Sequence, residues 1–133
     1  MRIKQLLIGM TASVIAVSSY VEMAIADLKF PMLVYRTGAY APNGIPNADG
    51  FVDYYKMINA RDGGIGGEKI FHPECETGYK TQVGVECYEK NKKDAMVFQP
   101  MSTGITYQLI PKATADGVTV YSTGYGRTSA ANG

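Results

Sequence analysis

FPMLVYRTGAYAPNGIPNADGFVDYYKMINARDGG, residues 30–64, decides the fold. It opens on Phe30 to Tyr35, a nearly continuous apolar run. Such a run reads as a strand buried on both faces, with Pro31 tolerated only near its start. Residues 36–46 are dense in Gly, Pro and Asn and read as a loop. Phe51, Tyr54, Tyr55 and Ile58 then recur at helical spacing, which predicts an amphipathic helix over 47–61 with Asn47 as its cap. Asp62-Gly63-Gly64 ends it, because glycine accepts the left-handed backbone past a helix terminus.

The same alternation continues downstream. Ile65-Gly66-Gly67 prolongs the turn, and Lys69 to Pro73 reads as a second strand. Thr77-Gly78 opens a second helix to about residue 91, with Tyr79, Val83 and Cys87 on its inward face. Ala95 to Phe98 is a third strand, Ser102-Thr103-Gly104 opens a third helix that Pro111 would kink or shorten, and Val118 to Tyr121 is a fourth strand. Residues 124–133 are polar and glycine-rich and read as loop. The order β-α-β-α-β-α-β predicts an α/β fold: a Rossmann-like, mainly parallel sheet with helices on both faces.

The amino terminus carries a different signal. Arg2 and Lys4 precede an uncharged apolar run from Leu6 to Val17, and Ala24-Ile25-Ala26 offers a small-x-small site before Asp27. Residues 1–26 therefore read as a secretory signal peptide, and the run is too short for a spanning helix. Of thirteen basic and twelve acidic residues, cleavage would remove Arg2, Lys4 and Glu22 and leave eleven of each sign. A chain of zero net charge has no field to draw it to nucleic acid or to an anionic membrane. With 46% hydrophobic and 19% charged residues the composition is that of a globular protein, and 133 residues allow one domain.

In parallel α/β sheets ligands bind beyond the carboxyl ends of the strands. Three loops fall there: Thr37-Gly38 with Tyr40, Gln99-Pro100-Met101-Ser102-Thr103-Gly104, and Ser122-Thr123-Gly124-Tyr125-Gly126-Arg127. Small hydroxyls and glycines let backbone N–H groups approach a ligand, and a helix start at Ser102/Thr103 would favour a carboxylate. Hydroxyls also accept from an ammonium group, so the set suits a small zwitterion. Against this stands the commonest role of Ser and Thr, which is capping helices and turns.

These residues resemble a known family. Gly38 with Tyr40-Ala41-Pro42-Asn43-Gly44, Gly50-Phe51 with Tyr54-Tyr55-Lys56-Met57-Ile58-Asn59, and the Asp62-Gly63-Gly64-Ile65-Gly66-Gly67 turn are similar to the opening of branched-chain amino acid ABC transporter substrate-binding proteins. Glu74-Cys75-Glu76-Thr77, Gly84-Val85-Glu86-Cys87-Tyr88-Glu89, Pro100-Met101-Ser102-Thr103-Gly104-Ile105-Thr106-Tyr107 and Gly124-Tyr125-Gly126-Arg127-Thr128 continue the resemblance in family order. It implies part of the first lobe of a type I periplasmic binding protein: a non-catalytic receptor without a cofactor. Such a receptor closes two lobes on an amino acid or related small molecule and delivers it to a membrane ABC permease from the periplasm. Carried over by position, the implied ligand contacts are Tyr40, Ser102, Thr103, Thr123 and Tyr125. Family members are about three times as long, so residues 27–133 are expected to be a partial amino-terminal lobe of a longer protein, with a core of modest size and an unpaired sheet edge.

Other chemistries weigh less. Export allows a Cys75–Cys87 disulfide. Helix and sheet pack about 10 Å apart whereas bridged Cα atoms need to be under about 7 Å, so two buried thiols are the favoured expectation. His72, Glu74 and Glu76 alternate onto one strand face, but a single histidine without placed partners makes a poor metal site, and no metal is expected. The alternative function is an exported Rossmann-like enzyme or dinucleotide binder. That reading wants a tight G-x-G-x-x-G after the first strand, where this chain has Arg36-Thr37-Gly38-Ala39-Tyr40-Ala41-Pro42-Asn43-Gly44.

Overall fold

The computed structural model describes residues 27–123. Its elements in chain order are β1 (Leu28–Lys29), β2 (Met32–Val34), α1 (Ala41–Arg61), β3 (Ile70–Phe71), β4 (Glu74–Glu76), α2 (Thr81–Asn91), β5 (Val97–Pro100), α3 (Thr103–Asp116) and β6 (Thr119–Val120). All pairings between these strands are parallel, in a four-stranded sheet ordered β4-β2-β5-β6 and a β1-β3 pair. The expected first strand, Phe30 to Tyr35, holds β2 alone, with β1 just before it, and the expected second, Lys69 to Pro73, holds β3 alone, with β4 just after it. Pro31 and Pro73 stand at the breaks, since a proline nitrogen has no hydrogen for a ladder. Backbone bonds run on across both gaps: Phe30 N–H donates to the Phe71 carbonyl at 2.8 Å and Met32 N–H to that of Pro73 at 2.9 Å. The signal peptide assigned to residues 1–26 lies outside the described residues.

Side chains alternate across the sheet as a strand's period of two requires. Met32 and Val34 pack with Ala48 and Tyr55 of α1, while Leu33 on the opposite face packs with Cys87 and Tyr88 of α2 and with Ile105, Leu109 and Ala113 of α3. α1 therefore covers one face, and α2 with α3 the other. Met32, Leu33 and Val34 are at most 1% exposed, which makes β2 the doubly buried strand that its apolar run predicts.

Three expectations are corrected. α1 begins at Ala41 rather than 47, with Tyr40 as its N-cap, and Asn47 lies within the helix. Pro42 falls in the first turn, where a missing N–H leaves nothing unpaired, so residues that look like loop formers start a helix. Gly44 makes the early start possible, because a Cβ there would overlap the Tyr35 carbonyl oxygen. α2 begins at Thr81, which leaves Tyr79 outside the helix. α3 runs unbroken through Pro111 to Asp116, since Pro111 lies on the exposed side, where water can replace the lost ladder bond.

The cysteines correct a fourth. Cys75 and Cys87 are joined, with their Cα atoms 5.9 Å apart. A spacing of about 10 Å separates mean planes and axes, whereas the Cα atoms of a helix lie about 2.3 Å from its axis and those facing the sheet come closer. Cys87 is such a residue, with its sulfur 3.9 Å from the Glu76 carbonyl oxygen. The bridge clasps the outer strand β4 to α2.

On the β1-β3 pair, Asn59 of α1 imitates a strand beside β3. Its Nδ2 donates to the Ile70 carbonyl at 2.9 Å and its Oδ1 accepts from Ile70 N–H at 2.8 Å.

Replacing Asn59 by Ala removes both bonds and leaves part-buried backbone groups of β3 unmatched, so a loss of about 2 kcal/mol is expected in urea denaturation. Reduction of Cys75–Cys87 is expected to lower stability by about 2–3 kcal/mol, read as the difference between denaturation midpoints with and without dithiothreitol.

Candidate functional site

β2 has β4 on one side and β5 on the other. The chain leaves β2 through α1 to β4, then returns through α2 to β5 on the far side. Loops leaving β2 and β5 consequently diverge, and the gap between them is the crevice where such sheets bind ligands. A cleft of about 650 Å³ opens there, lined by Tyr35, Tyr40, Asn43, Pro46, Asn47, Tyr79, Met101 and Thr103.

Two of the five contacts implied by resemblance, Tyr40 and Thr103, line this cleft. Ser102 is the N-cap residue of α3, 2% exposed, with an extended backbone and no side-chain cap bond. Its carbonyl accepts from the N–H and the hydroxyl of Thr106, both at 2.9 Å. Thr123 follows β6 and is not among the lining residues, and Tyr125 lies outside the described residues. Sequence reasoning missed Asn43 and Asn47 because their shared face, four residues apart, exists only once α1 is known to start at Ala41. It missed Tyr79 by assigning it to the inward face of a helix that begins two residues later.

Tyr79 has φ 64°, a left-handed backbone that costs a bulky residue about 1–2 kcal/mol. The preceding turn holds it there. Thr77, 2% exposed, donates both its N–H and its hydroxyl to the Val34 carbonyl, at 2.8 and 2.7 Å. The Thr77 hydroxyl oxygen also accepts from Tyr79 N–H at 3.2 Å. The Tyr79 ring is thereby set against Tyr40, centroids 4.3 Å apart at 32°, and against Tyr35, 4.8 Å apart and nearly perpendicular.

Glu76 ties the loop after β2 to the loop after β4. Its carboxylate accepts from Arg36 N–H at 2.8 Å, Gly78 N–H at 2.7 Å and the Thr37 hydroxyl at 3.1 Å. Burial pushes this carboxyl up, but those hydrogen bonds outweigh it and hold it below the usual value of 4.5. The Arg36 guanidinium grips Glu74 with Nε and Nη2 at 2.7 and 2.8 Å and reaches Asp49 of α1 at 2.6 Å. Hydrogen bonds first to Glu74 and then to Asp49 raise its pKa further, so it is cationic throughout. His72 stands with its ring 5.5 Å from that of Tyr55. Among the described residues no group of three His, Cys, Asp or Glu is placed to hold a metal ion.

The family model of the periplasmic binding proteins matches residues 27–133, and the chain belongs to that family. Among solved structures it is similar to a protein of the Pseudomonas fluorescens group described as an ABC transporter permease, at 37% identity and a TM-score of 0.67. That match covers 71% of this chain and 24% of the other. The fold is shared with a fatty acid ABC transporter substrate-binding protein from Thermomonospora curvata, at 21% identity and TM-score 0.68, covering 73% of this chain and 25% of that one. It is also shared with the branched-chain amino acid transporter substrate binding protein LivJ from Streptococcus pneumoniae in complex with isoleucine, at 22% identity and TM-score 0.65, covering 73% and 28%. The chain thus spans about a quarter of the length of these structures. No curated protein matches it.

The folded-state pKa of Glu76 lies below its unfolded value, so its contribution to stability is complete above that value and is lost as pH falls through the lowered one. Wild type is therefore expected to lose stability on acidification below pH 4.5. Glu76→Gln is expected to show a shallower acid limb when urea midpoints are compared between about pH 3 and pH 6.

Proposed function

We propose that this chain supplies part of the first lobe of a periplasmic, non-catalytic substrate-binding component of an ABC importer for branched-chain amino acids or related small molecules. The observation that carries the reading is the cleft at the switch point of the sheet, walled by Tyr40 from the loop after β2 and by Thr103 at the start of α3. Because no side chain caps α3, its first N–H groups remain available to a ligand carboxylate, and the Thr103 hydroxyl can add a hydrogen bond. Ser102, Thr123 and Tyr125 complete the proposed contact set of this lobe. Residues 1–26 export the chain and are removed, which predicts a mature protein beginning at Asp27.

A dinucleotide would need a tight glycine turn directly after the first strand. Here the Arg36–Tyr40 segment is pinned by acidic side chains, and α1 opens with proline in its first turn. Titration calorimetry of the full-length gene product against amino acids, small carboxylates and NAD tests the reading. Saturable binding of one of the small acids, weakened about tenfold or more by Thr103→Ala, is the expected result. Saturable binding of NAD alone would overturn it. Mass spectrometry of the exported protein, read for an amino terminus at Asp27, tests the leader.

A further inference from the structure

The three tyrosines of the cleft do more than fill space. Tyr35 is 6% exposed and anchors the group at the end of β2. Tyr79 leans on it edge to face, and Tyr40 lies against Tyr79 at a tilt of 32°. Exposure rises along this series, to 36% at Tyr79 and 52% at Tyr40, so the outermost ring is the most open of the three that line the cleft. Core packing does not account for the arrangement, since two of the three rings are substantially in solvent. Tyr79 also sits in a strained backbone that the Thr77 hydroxyl enforces. The wall is built across two loops, after β2 and after β4, which Glu76 and Arg36 lash together. Opposite chemistry is lacking: no lining residue carries a charge, and Met101 adds a thioether, a group that favours ring contacts.

From this geometry we infer that the ligand carries a flat aromatic ring, bound against the Tyr40–Tyr79–Tyr35 cluster, and that Tyr40 and Tyr79 set this specificity. A ring gains from offset stacking on a pre-organised ring, whereas a branched aliphatic side chain meets a flat face with few interlocking contacts. The inference rests on the small-acid receptor reading above and narrows it. It leaves the carboxylate at the start of α3 and places the ring on the tyrosine wall.

The test is titration calorimetry on the full-length gene product with two matched pairs of probes, phenylalanine against leucine and benzoate against isobutyrate. The expected result is that the aromatic member of at least one pair binds tenfold or more tighter than its aliphatic partner. Tyr79→Leu and Tyr40→Leu should each reduce or abolish that preference, and Tyr79→Phe and Tyr40→Phe should retain it. Thermal melts of all four variants separate specificity from folding. Aliphatic probes that bind as tightly as their aromatic partners would overturn the inference and leave the receptor reading standing. Leucine variants that melt lower yet keep the aromatic preference would also overturn it, because the rings would then be structural. Binding of none of the four probes would overturn the inference, while the wider panel of amino acids and small carboxylates decides the receptor reading.

Discussion

A central parallel strand needs hydrogen-bond partners on both edges and apolar partners on both faces, and the other elements are arranged around meeting that need at β2. Met32 pairs with Glu74 of β4 on one side and with Gln99 of β5 on the other. Satisfying both edges with parallel neighbours obliges the chain to cross once in each direction. The first crossover puts α1 on one face, and the second puts α2 on the other. The crevice between the loops leaving β2 and β5 is thus a by-product of saturating one buried strand, and it exists before any ligand-binding side chain is chosen.

The loops around that crevice are held by polar groups rather than by core packing. The Val34 carbonyl, at the end of the central strand, receives both hydrogens of Thr77. The same threonine fixes the backbone of Tyr79. Glu76, one residue earlier, gathers the backbone of Arg36 and Gly78. Cys75, one residue before that, is bonded to α2. Three consecutive residues, the last two of a short edge strand and the one that follows it, therefore transmit the position of the sheet to the wall of the cleft. Rigidity of this kind lowers the entropy lost when a ligand is captured.

Much of this was legible in the residues. The apolar run of β2, the alternation of strand and helix signals and the glycines after α1 point to a parallel α/β sheet because each reports a local requirement. The rule that ligands gather at strand ends then selects three loops, two of which, containing Tyr40 and Thr103, line the cleft. The start of α1 was illegible because Pro42 and Gly44 carry loop statistics, yet here one tolerates a first turn and the other admits the Tyr35 carbonyl. The disulfide was illegible because its feasibility depends on how closely α2 approaches the end of β4, a distance that no spacing along the chain contains.

Sequence alone determined the class of fold, the alternation of strands with helices and three candidate loops at the strand ends, since hydrophobic periodicity and turn chemistry act over a few neighbouring residues. Tertiary structure decided which side chains share the cleft. Tyr35, Tyr40 and Tyr79 come from two separate segments, and they meet only because β4 pairs beside β2 and Thr77 bonds across that pairing. Contacts between residues distant along the chain follow from strand order and register, which no local pattern encodes.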